Sequence, residues 1–247
     1  MIATLLVAAL GSQVACVPPK RQAKAQARVD LGAAYLVEGS TEVAIQQLQE
    51  AVKLDRRNYK GWEQLALAYM KRGAIEQAED AFERALKLVP ESASVNLNYS
   101  YLLLRMNRAA EAIPVLETAL MDLTYRSPAL ILNNLGYALY LEGRHAEAEL
   151  RLHEATSRAA TFCQAWFNLG LAREAQDNRR GAVQAFDQVV ATCPDDAAGS
   201  YLKAGTLMLE IDGVAEGCAY LRSASELAKG TALGDEASMA HAQSCAD

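Results

Sequence analysis

The sequence predicts an all-α protein: a right-handed superhelical solenoid of about six helix-turn-helix repeats, closed by a C-terminal capping segment. Three observations carry this expectation. Glycine and proline are sparse, 15 and 6 of 247 residues, and alanine is abundant, a balance that favours helix almost everywhere. The chain is also self-similar, because "WEQLALAYMKRGAIEQAEDAFERALKLVP" (Trp62 to Pro90) lines up with "WFNLGLAREAQDNRRGAVQAFDQVVATCP" (Trp166 to Pro194). Finally, small residues recur at fixed places in that frame and large apolar residues fall between them. Units of this kind bury their apolar faces only against their neighbours.

Both aligned stretches read Trp, then Leu three residues on, a small residue, Ala-x-x-x-Phe, and Pro. The pattern resembles the tetratricopeptide repeat, a helix-turn-helix unit of about 34 residues. In that frame the repeats fall at 25–58, 59–92, 93–126, 129–162, 163–196 and 197–228. The first carries Leu31, Gly32, Tyr35, Ala44, Leu48 and Ala51. The second has Trp62, Leu65, Tyr69, Ala78, Phe82, Ala85 and Pro90. The third is degenerate in its first helix but keeps Ala112, Leu116 and Ala119, and its second helix runs into an extra turn. Ser127 and Pro128 precede the fourth, which has Leu135, Gly136, Ala148, Leu152 and Ala155. The fifth has Trp166, Leu169, Gly170, Ala182, Phe186 and Pro194. In the sixth, Gly217, Leu221 and Ala224 match if the inter-helix turn holds one extra residue. Small residues at the eighth and twentieth positions are expected where the two helices of a repeat come closest. The resemblance implies a concave face lined by first helices. Residues 229–247 read as a loop and a capping helix.

The N-terminus is a separate problem. From Met1 to Val17 the chain is apolar, shorter than the about 20 residues a membrane-spanning helix needs, and it runs into "CVPPK". This reads as an export signal over residues 1–15. Val14-Ala15-Cys16 resembles the end of a lipoprotein signal, with Cys16 as the lipidated residue and 16–24 as a tether. The alternative is an ordinary signal peptide cleaved nearby. Val17 is not the Asp that resembles an inner-membrane retention signal, so the implied address is the periplasmic face of the outer membrane. The other four cysteines form an even set in the C-terminal half, with no Cys-x-x-Cys spacing. Cys163 and Cys193 occupy the first and thirty-first positions of the fifth repeat, which meet at one end of a helix pair. A Cys218–Cys245 bridge would pin the tail to the stack. Two disulfides are the natural reading in an exported chain and four buried thiols in a cytosolic one; four cysteines permit three pairings.

Composition excludes some functions. The net charge is −6 and no basic stripe stands out, so nucleic acid is not an expected partner. No catalytic set, phosphate loop, metal site or cofactor is expected. His145, His153 and His241 are read on or near solvated helix faces, and "EQAEDAFER" as a solvated second-helix face.

What remains is a binding protein. Positions of the first helices that face the concave side carry Gln64, Asn98, Asn134 and Asn168, an amide series able to hold a peptide backbone. Beside them stand Leu67, Leu97, Tyr101, Tyr137, Phe167, Leu171 and Tyr201. This many apolar groups at nominally exposed positions points to a groove for the apolar face of an amphipathic helix. Tyr101, Tyr137 and Phe167 are the expected anchors. Packing between repeats or under the tail is the alternative role for some of them. Lys60, Lys71 and Arg105 are the only cations near the groove positions, so a clamp for acidic peptides is not expected.

A lipoprotein-like start before six such repeats resembles the type IV pilus secretin pilotins, the PilF, PilW and Tgl family. The stretch "RAAEAIPVLETALMDLTYRSPALILNNLGYALYLEGRHAEAE" carries the more specific part of the likeness. The resemblance implies an outer-membrane lipoprotein without enzymatic activity. Its partner would be the secretin subunit, whose assembly into a multimer it promotes, and pili and surface motility would depend on it. The alternatives are a periplasm-facing scaffold lipoprotein that recruits cell-wall enzymes or outer-membrane assembly proteins, and a soluble cytosolic adaptor.

Overall fold

The computed structural model describes residues 17–211 and 213–245, so the expected signal peptide and the expected lipid acceptor Cys16 lie outside the described residues. Among the described residues there are thirteen α-helices and no strand. They divide into two compact units, the first ending at Val89 and the second beginning at Pro90.

The first unit holds α1 (Pro19–Val37), α2 (Thr41–Leu54), α3 (Tyr59–Arg72) and α4 (Ile75–Leu88). Its core gathers Val29, Ala44, Ile45, Leu48, Val52 and Leu65, with Trp62 and Tyr69 packed alongside. The expected tether at 16–24 is corrected here. Helix α1 already begins at Pro19, because proline at the first helical position lacks only an N–H that would be unpaired there anyway.

The second unit holds α5 (Ala93–Arg105), α6 (Ala109–Ala119), α7 (Pro128–Leu141), α8 (His145–Arg158), α9 (Cys163–Glu174), α10 (Arg179–Thr192), α11 (Ala198–Glu210), α12 (Val214–Leu227) and α13 (Ala232–Ser244). Helix α6 stops at Ala119 and the chain then runs into the expected extra turn, in which the Tyr125 N–H donates to the Asp122 carbonyl. Residues 120–127 form a non-helical link held by Asp122, whose carboxylate accepts from the Thr124 N–H and hydroxyl and from the Ala93 N–H. Those bonds hold the Asp122 carboxyl below its usual range. The fourth repeat then starts at Pro128, again a proline in the first turn.

Two features of the sequence explain why helices pair at a fixed spacing. The first is the eighth position. A Cβ added to Gly32 would stand 2.6 Å from Leu48 Cγ, and one added to Gly170 would stand 2.5 Å from Phe186 Cε1. The second helix therefore rests directly on the backbone of the first. The second feature is the turn. Gly39, Gly73, Asn107, Gly143 and Asp177, the fifteenth residues of the first five repeats, all have positive φ. Glycine adopts this conformation at no steric cost, and Asn and Asp are the side chains that tolerate it best. In the sixth repeat the position holds Ile211, at φ −110°, since a β-branched residue is a poor fit there. Helix α12 accordingly starts one residue later in its frame than its counterparts, the extra turn residue the sequence called for.

Cys163 pairs with Cys193, with Cα atoms 6.4 Å apart, and Cys218 with Cys245 at 5.8 Å. Both separations suit a disulfide. Helix α13 packs against α12 and α11, with Ala237 fully buried, so the tail covers the last helix pair.

Candidate functional site

The first helices of repeats three to five, α5, α7 and α9, enclose an open groove of about 440 Å3. Helix α5 contributes Tyr101, Leu104 and Arg105; α7 contributes Asn133, Asn134 and Tyr137; α9 contributes Gln164, Phe167, Asn168 and Leu171. These residues lie at the spacing that puts one helical face toward the groove. Their opposite faces, with Leu102 and Leu103 on α5 and Leu135 and Leu139 on α7, are buried in the core.

Six of the expected groove residues are brought together: Tyr101, Asn134, Tyr137, Phe167, Asn168 and Leu171. Tyr101 is 53% exposed and lines the groove. Tyr137 stacks on Tyr140 with ring centroids 6.4 Å apart. Phe167 has two roles, since its ring also lies 5.5 Å from that of the fully buried Phe186.

Of the other four expected groove residues, Leu97 and Tyr201 need correction. Leu97 packs against the core of the second unit and does not line the groove. Asn98 is not among the lining residues either, and it makes interactions of its own. Tyr201 packs on Tyr220 at 6.0 Å, and the Tyr220 hydroxyl donates to Asp187 at 2.6 Å. Burial first, then that carboxylate, raise the Tyr220 pKa. Leu67 lies on α3, in the first unit.

The amides form a connected chain, although not the expected one. Asn168 Nδ2 donates to Asn133 Oδ1 at 2.9 Å, Asn133 Nδ2 donates to Asn134 Oδ1 at 3.1 Å, and Gln164 Nε2 donates to Asn168 Oδ1 at 3.1 Å. Asn133 and Asn168 are buried. Much of the amide capacity is thus used within the protein, fixing α7 against α9, and the outer members Asn134 and Gln164 face the groove. Sequence reasoning missed Asn133, Gln164 and Leu104 as lining residues, whereas Arg105, expected near the groove, does line it. The doublet Asn133-Asn134 was the signal for one of them, because two adjacent amides on a helix point to different neighbours. Of the other cations, Lys71 is occupied elsewhere, its Nζ donating to the Leu36 carbonyl at 2.7 Å.

The histidines are less solvated than expected. His153 is exposed, but His145 packs against Tyr140 and has Nδ1 buried, and His241 has Nε2 buried. Among the described residues no group of three or more His, Cys, Asp or Glu side chains is placed to hold a metal. No helix there is long and apolar enough to cross a membrane.

Stacked helix pairs, with a groove of aromatic rings and amides along their first helices, define a helical-repeat protein that binds other proteins. Comparison with known proteins agrees. The tetratricopeptide-repeat family matches residues 63–129, 101–160 and 164–196, which together span more than half of the chain. The chain belongs to the tetratricopeptide-repeat proteins. By sequence it is 29% identical over 119 residues to an uncharacterised protein of Haemophilus influenzae, covering 48% of this chain and 66% of that one. It is 28% identical over 123 residues to the type IV pilus assembly protein PilF of Pseudomonas aeruginosa, covering 50% of this chain and 49% of PilF. The matched stretch therefore spans from about half to just under two-thirds of these relatives. The fold matches crystallographic PilW, a type IV pilus biogenesis factor, with a TM-score of 0.78 at 22% identity, covering 86% of this chain and 97% of PilW. It matches the solved structure of P. aeruginosa PilF with a TM-score of 0.77 at 21% identity, covering 90% of this chain and 99% of that one.

Proposed function

We propose that this protein is a non-enzymatic outer-membrane lipoprotein of type IV pilus biogenesis that binds the pilus secretin and promotes its assembly into the multimer. The groove of α5, α7 and α9 is the observation that carries the reading, in a chain similar to PilF and PilW. Such a role needs no bond-making chemistry. It needs a surface that holds an unassembled segment until subunits join. Tyr101, Tyr137 and Leu171 offer apolar area to one face of an amphipathic helix, and Asn134 and Gln164 can bond to its polar edge. Lipidation at Cys16 would confine the protein to a plane and raise its effective concentration for a membrane-bound partner. Oxidation of both cysteine pairs fits a compartment outside the reducing cytosol.

Deletion of the gene, followed by immunoblotting for heat- and detergent-resistant secretin multimers, tests the proposal. Loss of multimer with monomer retained is the expected result; unchanged multimer sinks it. The groove is tested by Tyr101→Ala combined with Tyr137→Ala. These are the residues to change, because Phe167 also supports Phe186 and its loss would disturb the core. The double variant should keep its helical signal while multimer formation falls to near the deletion level.

A further inference from the structure

Folding joins two short basic stretches of the sequence into one site. At the start of α1, Val17, Pro18 and Arg21 meet Lys53, Arg56 and Arg57 from the end of α2 and the turn after it, around an open cavity of about 460 Å3. No acidic side chain lines it, in a chain whose net charge is −6. Other arginines of this unit are paired: Arg28 with Glu50, Arg72 with Glu42, Arg84 with Asp80. Among the described residues the arginines of the cavity have no such carboxylate partner.

The backbone beneath these cations is held in place. Arg21 Nη2 donates to the Lys53 carbonyl at 3.2 Å, the Arg56 carbonyl accepts from Trp62 Nε1 at 2.9 Å, and the Arg57 N–H donates to Asp55 Oδ1 at 2.9 Å. Asp55, the carboxylate of that turn, is buried and already bonded there. The side chains of Lys53, Arg56 and Arg57 are exposed. Helix α1 has no acidic residue in its first turn and no side-chain cap, so its positive end adds to the local field.

We propose that this cavity binds the phosphate of anionic lipid headgroups at a bilayer surface. Three of its four cations are arginines, whose fork of N–H donors matches phosphate oxygens. Val17, part of the lining, directly follows Cys16, the proposed lipid acceptor, and a basic patch beside an anchor is a second membrane signal. The inference goes beyond the pilus reading and is tested without it, so either can fail alone.

The experiment floats the purified full-length chain with vesicles of phosphatidylcholine alone and with vesicles of about three parts phosphatidylcholine to one part phosphatidylglycerol. The N-terminal anchor contributes equally to both, so the readout is the preference for the anionic vesicle. Each cation near an anionic surface strengthens binding about fivefold. The variant Lys53→Gln, Arg56→Gln, Arg57→Gln should therefore lose roughly two orders of magnitude of any anionic preference. The variant Arg56→Lys, Arg57→Lys should keep most of it, and added salt should weaken the preference of the wild type. Equal binding to both vesicles overturns the proposal, as does a preference that survives the triple substitution. Binding of inorganic phosphate without any vesicle preference overturns the lipid assignment.

Discussion

Repeats two and five have the same frame and differ in what they do with it. Both begin on a tryptophan whose indole N–H reaches back to a carbonyl six residues earlier, Trp62 to Arg56 at 2.9 Å and Trp166 to Ala160 at 2.8 Å. Both bury a phenylalanine completely, Phe82 and Phe186. Both second helices run for 14 residues. On the inner face of the first helix, repeat two places Glu63, Gln64 and Leu67 where repeat five places Phe167, Asn168 and Leu171. Repeat five joins its two ends through Cys163 and Cys193, where repeat two has Tyr59 and Val89. Positions that hold a repeat together are the same in both, and positions that give it a task are not. The framework can therefore be read from one repeat and carried to the next, whereas the groove must be read helix by helix.

The largest test of that comparison removes the buried ring from each repeat. Phe82→Ala and Phe186→Ala should each destabilise by about 3–5 kcal/mol. The loss should be greater at Phe186, because Gly170 opposite it supplies no Cβ to fill the void, whereas the equivalent residue in repeat two is Ala66. Denaturant unfolding of the two variants checks the order, and equal losses would break the argument from Gly170.

Next in size is the clasp of repeat five. Changing Cys163 and Cys193 together to Ser should cost about 3 kcal/mol. Stability in a stack is local, so hydrogen exchange should quicken in α9 and α10 while α3 and α4 keep their protection. Uniform loss across both units would show that the clasp acts on the whole chain.

The smallest test makes repeat two more like repeat five. Arg84 lies over the Trp62 ring at 5.0 Å, and the equivalent residue in repeat five is Gln188. Arg84→Gln should lose only about 0.5–1 kcal/mol, visible as a small shift in melting. A larger loss would mean that repeat two depends on this contact in a way repeat five does not.

Much of the molecule was legible before folding was considered. The repeat frame, the close approach at Gly32, Gly136 and Gly170, the extra turn residue before α12 and the capping helix α13 follow from period, side-chain size and turn chemistry. All of these are local matters, decided within one helix pair. Expectations failed where a residue had a choice of neighbours. Leu97 and Tyr201 stand at groove positions of the frame, yet they turn to the core and to Tyr220. The residues before Ala25 read as a tether, yet Pro18 and Pro19 start a helix.

By itself, then, the sequence determined the class of fold and the spacing of its helix pairs, because steric fit between a glycine and the side chain facing it depends on residues in one repeat. Only the tertiary structure decided which side chains share a surface. It linked Asn133, on α7, with Asn168, 35 residues further along on α9. It also collected Arg21 with Lys53, Arg56 and Arg57 into one basic cavity, although Arg21 stands 32 residues before Lys53. Both are long-range juxtapositions, and residue type constrains them weakly until the helices are packed.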